Sequence, residues 1–226
     1  GLTGAIEALG AKQERSDDFF REATKNLYTD VTSQMDDTLS SSSGIAAERE
    51  LTLEKFKAMM GDTEGSLLFE ELKQYGVDTP YSTDNMMKSG TLLRRYNSDW
   101  GREDIMNNVS MIGDLAMGDQ NAFDAISYAY AQIQSEGKLN GQDWRQLTQA
   151  GFNPLNVLGE EWGKTASQMR EMMSEGMVSA EDVTHAFEKA TNEGGDYFQA
   201  ATKLMDSYSG LSAQLEDTKL DIDLAM

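Results

Sequence analysis

Apolar residues recur along most of this chain at intervals of three and four positions, the spacing that places side chains on one face of an α-helix. Between residues 45 and 210 the apolar runs are short, and each ends at glycine or at a cluster of Asn, Asp and Ser residues. Residues of these types end one helix and begin the next. The pattern predicts an all-α, multi-helix bundle whose short connections place neighbouring helices side by side, roughly antiparallel.

Two helices are predicted between Ile45 and Gly76, with Gly61 separating them. Their apolar positions are Leu51, Phe56, Met59, Met60, Leu67, Leu68, Leu72 and Tyr75. Thr79 precedes Pro80, and the proline ring disfavours helical geometry in the residue before it. We therefore expect an extended segment after the second helix.

A third helix is predicted to start near Ser82 or Thr83, and a fourth to follow the break at residues 97–101. Their apolar positions are Met86, Met87, Leu92, Leu93, Tyr96, Ile105, Met106, Val109, Ile112, Leu115 and Ala116. Gly118 suits the end of the fourth helix, and Asp119 suits the N-cap of the fifth. The fifth helix carries Phe123, Ile126, Tyr130 and Ile133.

Residues 135–158 combine several helix signals in a short stretch. Gly137 can adopt the positive φ that ends a helix, and Leu139 is a single apolar residue in a polar connection. Asn140 suits the N-cap of the next helix, with Asp143 three residues on in the capping-box position. One side of that helix is predicted to carry Trp144, Leu147 and Ala150. Gly151 is expected to close it before a turn at Asn153-Pro154.

The pattern of residues 135–139 is repeated 39 residues later, at residues 174–178. In both copies glycine is followed two residues later by an aliphatic residue, Leu139 or Val178. Ser179 and Asp182 then approximate a capping box. We predict that Leu139 and Val178 are buried and pair as two very short antiparallel strands, the one β-pairing expected in the bundle.

The same spacing matches the second half of a calcium-binding EF-hand loop. The first half does not match, because an EF-hand needs Asp or Asn oxygens before the glycine. The residues at those positions are Gln132, Gln134 and Glu136 in one copy and Glu171, Met173 and Glu175 in the other. Calcium binding is therefore disfavoured, and no metal ligand is predicted.

The chain is strongly acidic, with 19 Lys and Arg against 39 Asp and Glu and a net charge of −20. Such a charge repels nucleic acid and anionic lipid, so no nucleic-acid binding is expected. The absence of cysteine excludes disulfides and thiolate chemistry. No apolar run is long enough to span a bilayer, although contact with a membrane is left open. Because the chain starts at Gly1 and ends within a helical pattern, we interpret it as a piece of a longer protein.

Candidate chemistry is sparse. His185, the only histidine, lies in a predicted helix from Ser179 to Thr191 without a nucleophile or ligand pattern around it. Carboxylate pairs such as Asp17-Asp18 are expected from the composition and indicate solvated helix faces. The 14 methionines are interpreted mainly as core residues, with an adaptable binding groove as the alternative. No catalytic, cofactor-binding or metal residue is predicted, no cofactor is implied, and an enzyme is not expected.

The two ends of the chain differ from its centre. Residues 1–39 are predicted to form an amphipathic helical arm, either a coiled coil or a helix lying on the domain, and residues 40–44 a Ser/Gly linker. Residues 45–210 form the predicted helical domain. Residues 211–226 begin a further helix, and their apolar positions, spaced four and three apart, indicate a seam that meets another helix, either by docking or by self-association as a coiled coil. These positions include Leu211, Leu215 and Ile222.

An ordered series of short motifs runs through the centre of the chain: Gly137-Lys138-Leu139, Asp143, Gln146-Leu147-Thr148 and Ala150-Gly151-Phe152-Asn153-Pro154. This series resembles the conserved N-terminal region of tape measure proteins, which fill the lumen of phage tails and set tail length. The flanking motifs are Phe56, Met59-Met60-Gly61, Thr79-Pro80-Tyr81, Ile112-Gly113-Asp114, Ala116-Met117-Gly118, Gly176-Met177-Val178-Ser179, Ala186-Phe187 and Gly194-Gly195. The resemblance covers roughly residues 50–200.

This resemblance implies a structural protein of the virion tail that is present in the host cytoplasm during assembly. It implies roles in tail assembly and tail length determination, and also in genome ejection. It further implies contacts with tail tube, tail tip and tail assembly chaperone proteins. The alternative hypothesis is an acidic helical interaction module unrelated to tails.

Overall fold

The computed structural model describes residues 47–207 of the chain. The chain divides into two compact units, Gly1–Leu51 and Thr52–Met226. The predicted arm at residues 1–39, the linker at 40–44 and the seam containing Leu211, Leu215 and Ile222 all lie outside the described residues.

The described part of the chain is all-α, as predicted, and contains ten helices. They are α1 (47–60), α2 (Asp62–Asp78), α3 (Thr83–Tyr96), α4 (Arg102–Leu115), α5 (Gln120–Glu136), α6 (Gly141–Gln149), α7 (Pro154–Trp162), α8 (Ala166–Ser174), α9 (Ala180–Thr191) and α10 (200–207). Within residues 47–207 no helix is both long enough and apolar enough to cross a bilayer.

Most helix boundaries follow the local signals in the sequence. The side chains of Ser82 and Asp119 accept hydrogen bonds from backbone N–H groups in the first turns of α3 and α5. Each such cap stabilises a helix by about 1 kcal/mol. Thr79 adopts extended geometry before Pro80, with φ −134° and ψ 163°. These three positions, Ser82, Asp119 and Thr79, confirm the predicted ends and starts.

The predicted end of α2 at Gly76 is wrong, because the helix continues to Asp78. Gly76 lies against the first residue of α3, and a Cβ atom at this position would come within 2.8 Å of the Thr83 Cα. This glycine therefore serves close packing between two helices, whereas the sequence pattern interprets it as a stop.

Helix α5 is central to the bundle, since it packs against α3, α4, α6 and α9. Its Tyr130 ring stacks on Phe187 of α9 with ring centroids 4.6 Å apart. Phe152 meets the same Phe187 ring edge-on at 5.1 Å. Stacked and edge-on aromatic pairs of this kind each add about 1 kcal/mol beyond the burial of their area. This aromatic cluster lies between α5 and α9 and helps to fix their packing.

Methionines occupy the core, as the main interpretation predicts. Met86, Met87 and Met169 are buried, while Met172 and Met173 pack against the core and remain partly buried. The predicted apolar positions Leu51 and Leu67 are instead exposed. Met117 and Met177 are exposed as well.

Candidate functional site

The two repeated stretches meet in the structure and form what we call the paired junction, residues 137–140 and 176–179. The Leu139 N–H donates to the Val178 carbonyl at 2.9 Å, and the Ala180 N–H donates to the Gly137 carbonyl at 3.0 Å. Lys138 and Ser179 form an isolated antiparallel β-bridge. The predicted pairing of the two copies is confirmed.

Each half of the paired junction reverses the chain in the same way. Gly137 and Gly176 both have positive φ, 76° and 73°, in the left-handed region where a side chain causes strain. The aliphatic residue that follows, Leu139 or Val178, is fully buried in both halves, as predicted. Burial of such a side chain stabilises the fold by about 2 kcal/mol. The paired junction thus joins α5–α6 to α8–α9 through two backbone hydrogen bonds, and each half buries one aliphatic side chain.

The helix caps of the two halves differ. The Ser179 N–H donates to Asp182 Oδ2 at 2.8 Å, and the Asp182 N–H donates to Ser179 Oγ at 3.1 Å, which is a complete capping box. Asn140 also caps its helix, since its Oδ1 accepts from the N–H groups of Gln142 and Asp143. Asp143, however, does not accept from the Asn140 N–H, so the capping box indicated by the sequence is only half formed.

Asp143 is instead buried, with 2% of its surface exposed. Within the described chain its Oδ2 atom has no hydrogen-bond partner. Burial and the charge of Glu136 together raise the pKa of Asp143 to about 6, although a hydrogen bond with Asn140 partly opposes the change. A carboxyl group with this pKa gains a proton just below neutral pH, so the first turn of α6, directly after the paired junction, is expected to be sensitive to pH.

The helix after the paired junction is held to α7 by an indole. The Trp144 Nε1–H donates to Asn153 Oδ1 at 3.0 Å. The same oxygen caps α7 by accepting from the Leu155 N–H. The indole partner is therefore a side-chain carbonyl at the start of α7. Gly151, with φ 99°, follows the end of α6 as predicted.

His185 lies on the exposed side of α9, within a small ion cluster. Its Nε2 atom is 3.0 Å from Glu161 Oε2, and Lys189 Nζ is 2.9 Å from the same oxygen. The hydrogen bonds from Lys189 and His185 lower the pKa of Glu161. This cluster links α7 to α9 at the surface, and its geometry is that of an ion pair.

Five of the six residues weighed for an EF-hand loop are helical, and the sixth, Glu175, is the C-cap of α8. Gln132, Gln134 and Glu136 belong to α5, so they do not form a loop around an ion. Across residues 47–207 no three His, Cys, Asp or Glu side chains are grouped to hold a metal ion.

Two long-range contacts were not predicted from the sequence. Asp114, at the end of α4, accepts from the Ala201 N–H at 3.0 Å and from the Gln199 backbone, so it caps α10 from 87 residues away. Burial raises the pKa of Asp114. The Tyr81 hydroxyl donates to the Gly113 carbonyl and accepts from the Gly118 N–H. No local signal reveals these partners, because each pair joins residues far apart in the sequence.

A protein-family model described as "Tape measure protein" matches residues 46–222. No curated protein matches the chain, and no solved structure does. The matched region contains every described helix, the paired junction and both long-range contacts. Because the match covers most of the sequence, the chain belongs to the tape measure protein family, whose members are structural components of phage tails.

Proposed function

We propose that this chain is a folded domain of a tail tape measure protein that acts in tail assembly and tail length determination, and that it performs no catalysis. The observation that carries the proposal is the division of residues 52–207 into short helices packed on one core, within a family of tail proteins. The hypothesis of an interaction module unrelated to tails is not retained, because family membership links the chain to phage tails.

A tape measure requires an extended segment, since an α-helix advances about 1.5 Å per residue. As a single helix, residues 52–207 would extend about 230 Å. The longest helices in the described chain have 17 residues, and one such helix is only about 26 Å long. We therefore infer that this domain is a compact unit, and that the number of residues in it does not contribute to tail length at 1.5 Å per residue.

An insertion experiment in the parent phage tests this inference. Twenty residues inserted between Lys164 and Thr165, in the exposed α7–α8 connection, are expected to leave tail length unchanged. The same number of residues added to a continuous helix elsewhere in the parent protein is expected to lengthen the tail by about 30 Å. Electron microscopy of purified tails measures both. Equal lengthening by the two insertions would contradict a compact unit.

The absence of catalysis is part of the proposal. A hydrolase needs a nucleophile oriented by a base. Among the described residues, His185 is a common type of general base, but its hydrogen bonds go to Glu161 and none joins it to a Ser, Thr or Tyr hydroxyl. Incubation with cell-wall and peptide substrates is expected to yield no products above the buffer control.

The partners that we propose are tail tube, tail tip and tail assembly chaperone proteins, met in the host cytoplasm during assembly. Self-association through Leu211, Leu215 and Ile222 is also proposed, because their spacing is that of a helix seam. Light scattering coupled to chromatography would compare the 226-residue chain with a chain lacking residues 211–226. Equal oligomeric states would count against this seam as an assembly contact.

The acidity of the chain supports an additional role during genome ejection. A net charge of −20 repels DNA phosphates, so a genome would pass this domain without being held. Tight binding of the chain to duplex DNA at low salt would contradict this role.

A further inference from the structure

A groove with an apolar lining runs between the α2–α3 connection and α10. We define the α10 groove by Pro80, Tyr81, Met117, Leu204 and Met205, which line a cavity of about 670 Å³. A second cavity of about 470 Å³ adjoins it, since both are lined by Thr79 and Met205. Together the two cavities are large enough for several side chains of a partner.

The walls of the α10 groove are held in place before any partner binds. The Tyr81 hydroxyl donates to the Gly113 carbonyl and accepts from the Gly118 N–H, and its ring packs on Phe123 at 4.8 Å. On the opposite wall, Asp114 holds the first turn of α10 through the Ala201 N–H. A preformed groove loses little conformational entropy on binding, which favours affinity.

Met117 marks the α10 groove as a binding surface. Its side chain is 53% exposed, and its φ of 49° lies in the left-handed region that disfavours residues with a Cβ atom. Leu204, in the opposite wall, is 36% exposed, and Val77 is exposed at the adjoining cavity. Adjacent exposed apolar residues on a folded domain indicate an interaction site.

The charges around the α10 groove are negative. Asp78 and Asp206 line the adjoining cavity, and Asp119 follows Gly118 closely enough for its charge to raise the pKa of Tyr81. Lys203 does not offset them fully, because it adds one positive charge against three carboxylates; its ammonium group donates to the Phe198 carbonyl at 2.6 Å and lies over the Phe198 ring. An apolar floor with a carboxylate rim is complementary to a surface that combines apolar and basic side chains.

We propose that the α10 groove binds a basic amphipathic helix of a partner protein. Its apolar face lies on Pro80, Met117 and Leu204, and its Lys or Arg side chains face Asp78 and Asp206. Methionine is well suited to such a surface, because its flexible thioether adapts to the side chains of the incoming helix. A second copy of this chain is a poorer occupant, since it carries the same net charge of −20.

Binding can be tested with the 226-residue chain and labelled 20-residue peptides by fluorescence anisotropy. One peptide has Leu at helical spacing with Lys elsewhere, the second replaces every Lys by Glu, and the third has the first composition with the Leu spacing scrambled. We expect saturable binding of the first peptide, and binding at least about tenfold weaker for the other two.

Variants locate the site. Met117→Gly removes the side chain and relieves the backbone strain, so the fold is retained while binding of the Leu/Lys peptide weakens about tenfold. Leu204→Gln is expected to act similarly. The matched control is Leu67→Gln, which changes an exposed leucine near the start of α2 and should leave affinity unchanged. Thermal melts of all three variants verify folding.

Three results would overturn the proposal. The first is affinity for the Leu/Lys peptide that Met117→Gly and Leu204→Gln both leave intact. The second is equal binding of the Leu/Glu peptide, or no loss of affinity in Asp78→Asn and Asp206→Asn. The third is a concentration-dependent dimer that Leu204→Gln abolishes, which would assign the groove to a second copy of the chain.

Discussion

The two halves of the paired junction share a sequence pattern and a backbone path, but the carboxylate that follows each half has different surroundings. Asp182 points to its own helix start and completes a capping box with Ser179. Asp143, at the equivalent position, is buried beside α5 with a raised pKa. Local sequence similarity thus produces equal turns, while the neighbouring helices decide whether the carboxylate stabilises the fold. In the α8–α9 half the carboxylate of Asp182 stabilises its helix, whereas in the α5–α6 half the buried charge of Asp143 costs free energy.

The largest expected effect comes from the contacts that the two halves share. Leu139→Ala removes a fully buried side chain and is expected to lower the free energy of unfolding by about 3 kcal/mol. Val178→Ala should cost about 2 kcal/mol, since fewer methyl groups are lost. Urea denaturation of each variant measures these losses. Met177→Ala, at an exposed neighbour, is the control and should change stability by less than about 0.5 kcal/mol.

The double variant sharpens the comparison. The backbones of Leu139 and Val178 are hydrogen-bonded to each other, so the stability losses of the two single variants should not add. The coupling free energy between the two substitutions should be at least about 0.5 kcal/mol. Strict additivity would show that the two halves of the paired junction fold as independent turns.

Asp143→Asn is expected to stabilise the protein at pH 7.5, on the order of 1 kcal/mol, by removing a buried charge. The pKa of Asp143 is raised in the folded state, so its favourable contribution is complete below about pH 4 and is lost as the pH rises through about 6. The variant and the natural chain should therefore be equally stable at pH 4. Thermal melts between pH 4 and 8 measure the difference. A variant that is less stable than the natural chain at pH 7.5 would argue that the Asp143 charge is satisfied.

Asp182→Ala should have the opposite sign and a similar or smaller size. It removes the acceptor for the Ser179 N–H and is expected to destabilise the protein by about 1 kcal/mol. Because the substitution removes a helix cap, the loss of stability should persist from pH 6 to 8. Melts of Asp182→Ala in the same buffers as Asp143→Asn make the comparison direct. Shifts of equal sign at pH 7.5 would remove the distinction between the two halves.

The sequence predicts the helices of residues 47–207 well because their ends depend on nearby atoms. Ser82, Asp119, Asn140 and Ser179 each cap a helix by bonding to N–H groups two or three residues away. The repetition after 39 residues also predicts the pairing of Leu139 with Val178, because two short extended segments of similar sequence can form backbone hydrogen bonds with each other.

Other features of this protein were decided only by the tertiary structure. Gly76 lies inside α2 because α3 approaches it, Asp143 is buried because α5 covers it, and Asp114 caps α10 from 87 residues away. Local propensity, charge and periodicity determined that the chain is an acidic series of short helices. Burial, the raised pKa of Asp143 and the shape of the α10 groove arise only when distant segments exclude water from one another, and no short stretch of sequence contains that information.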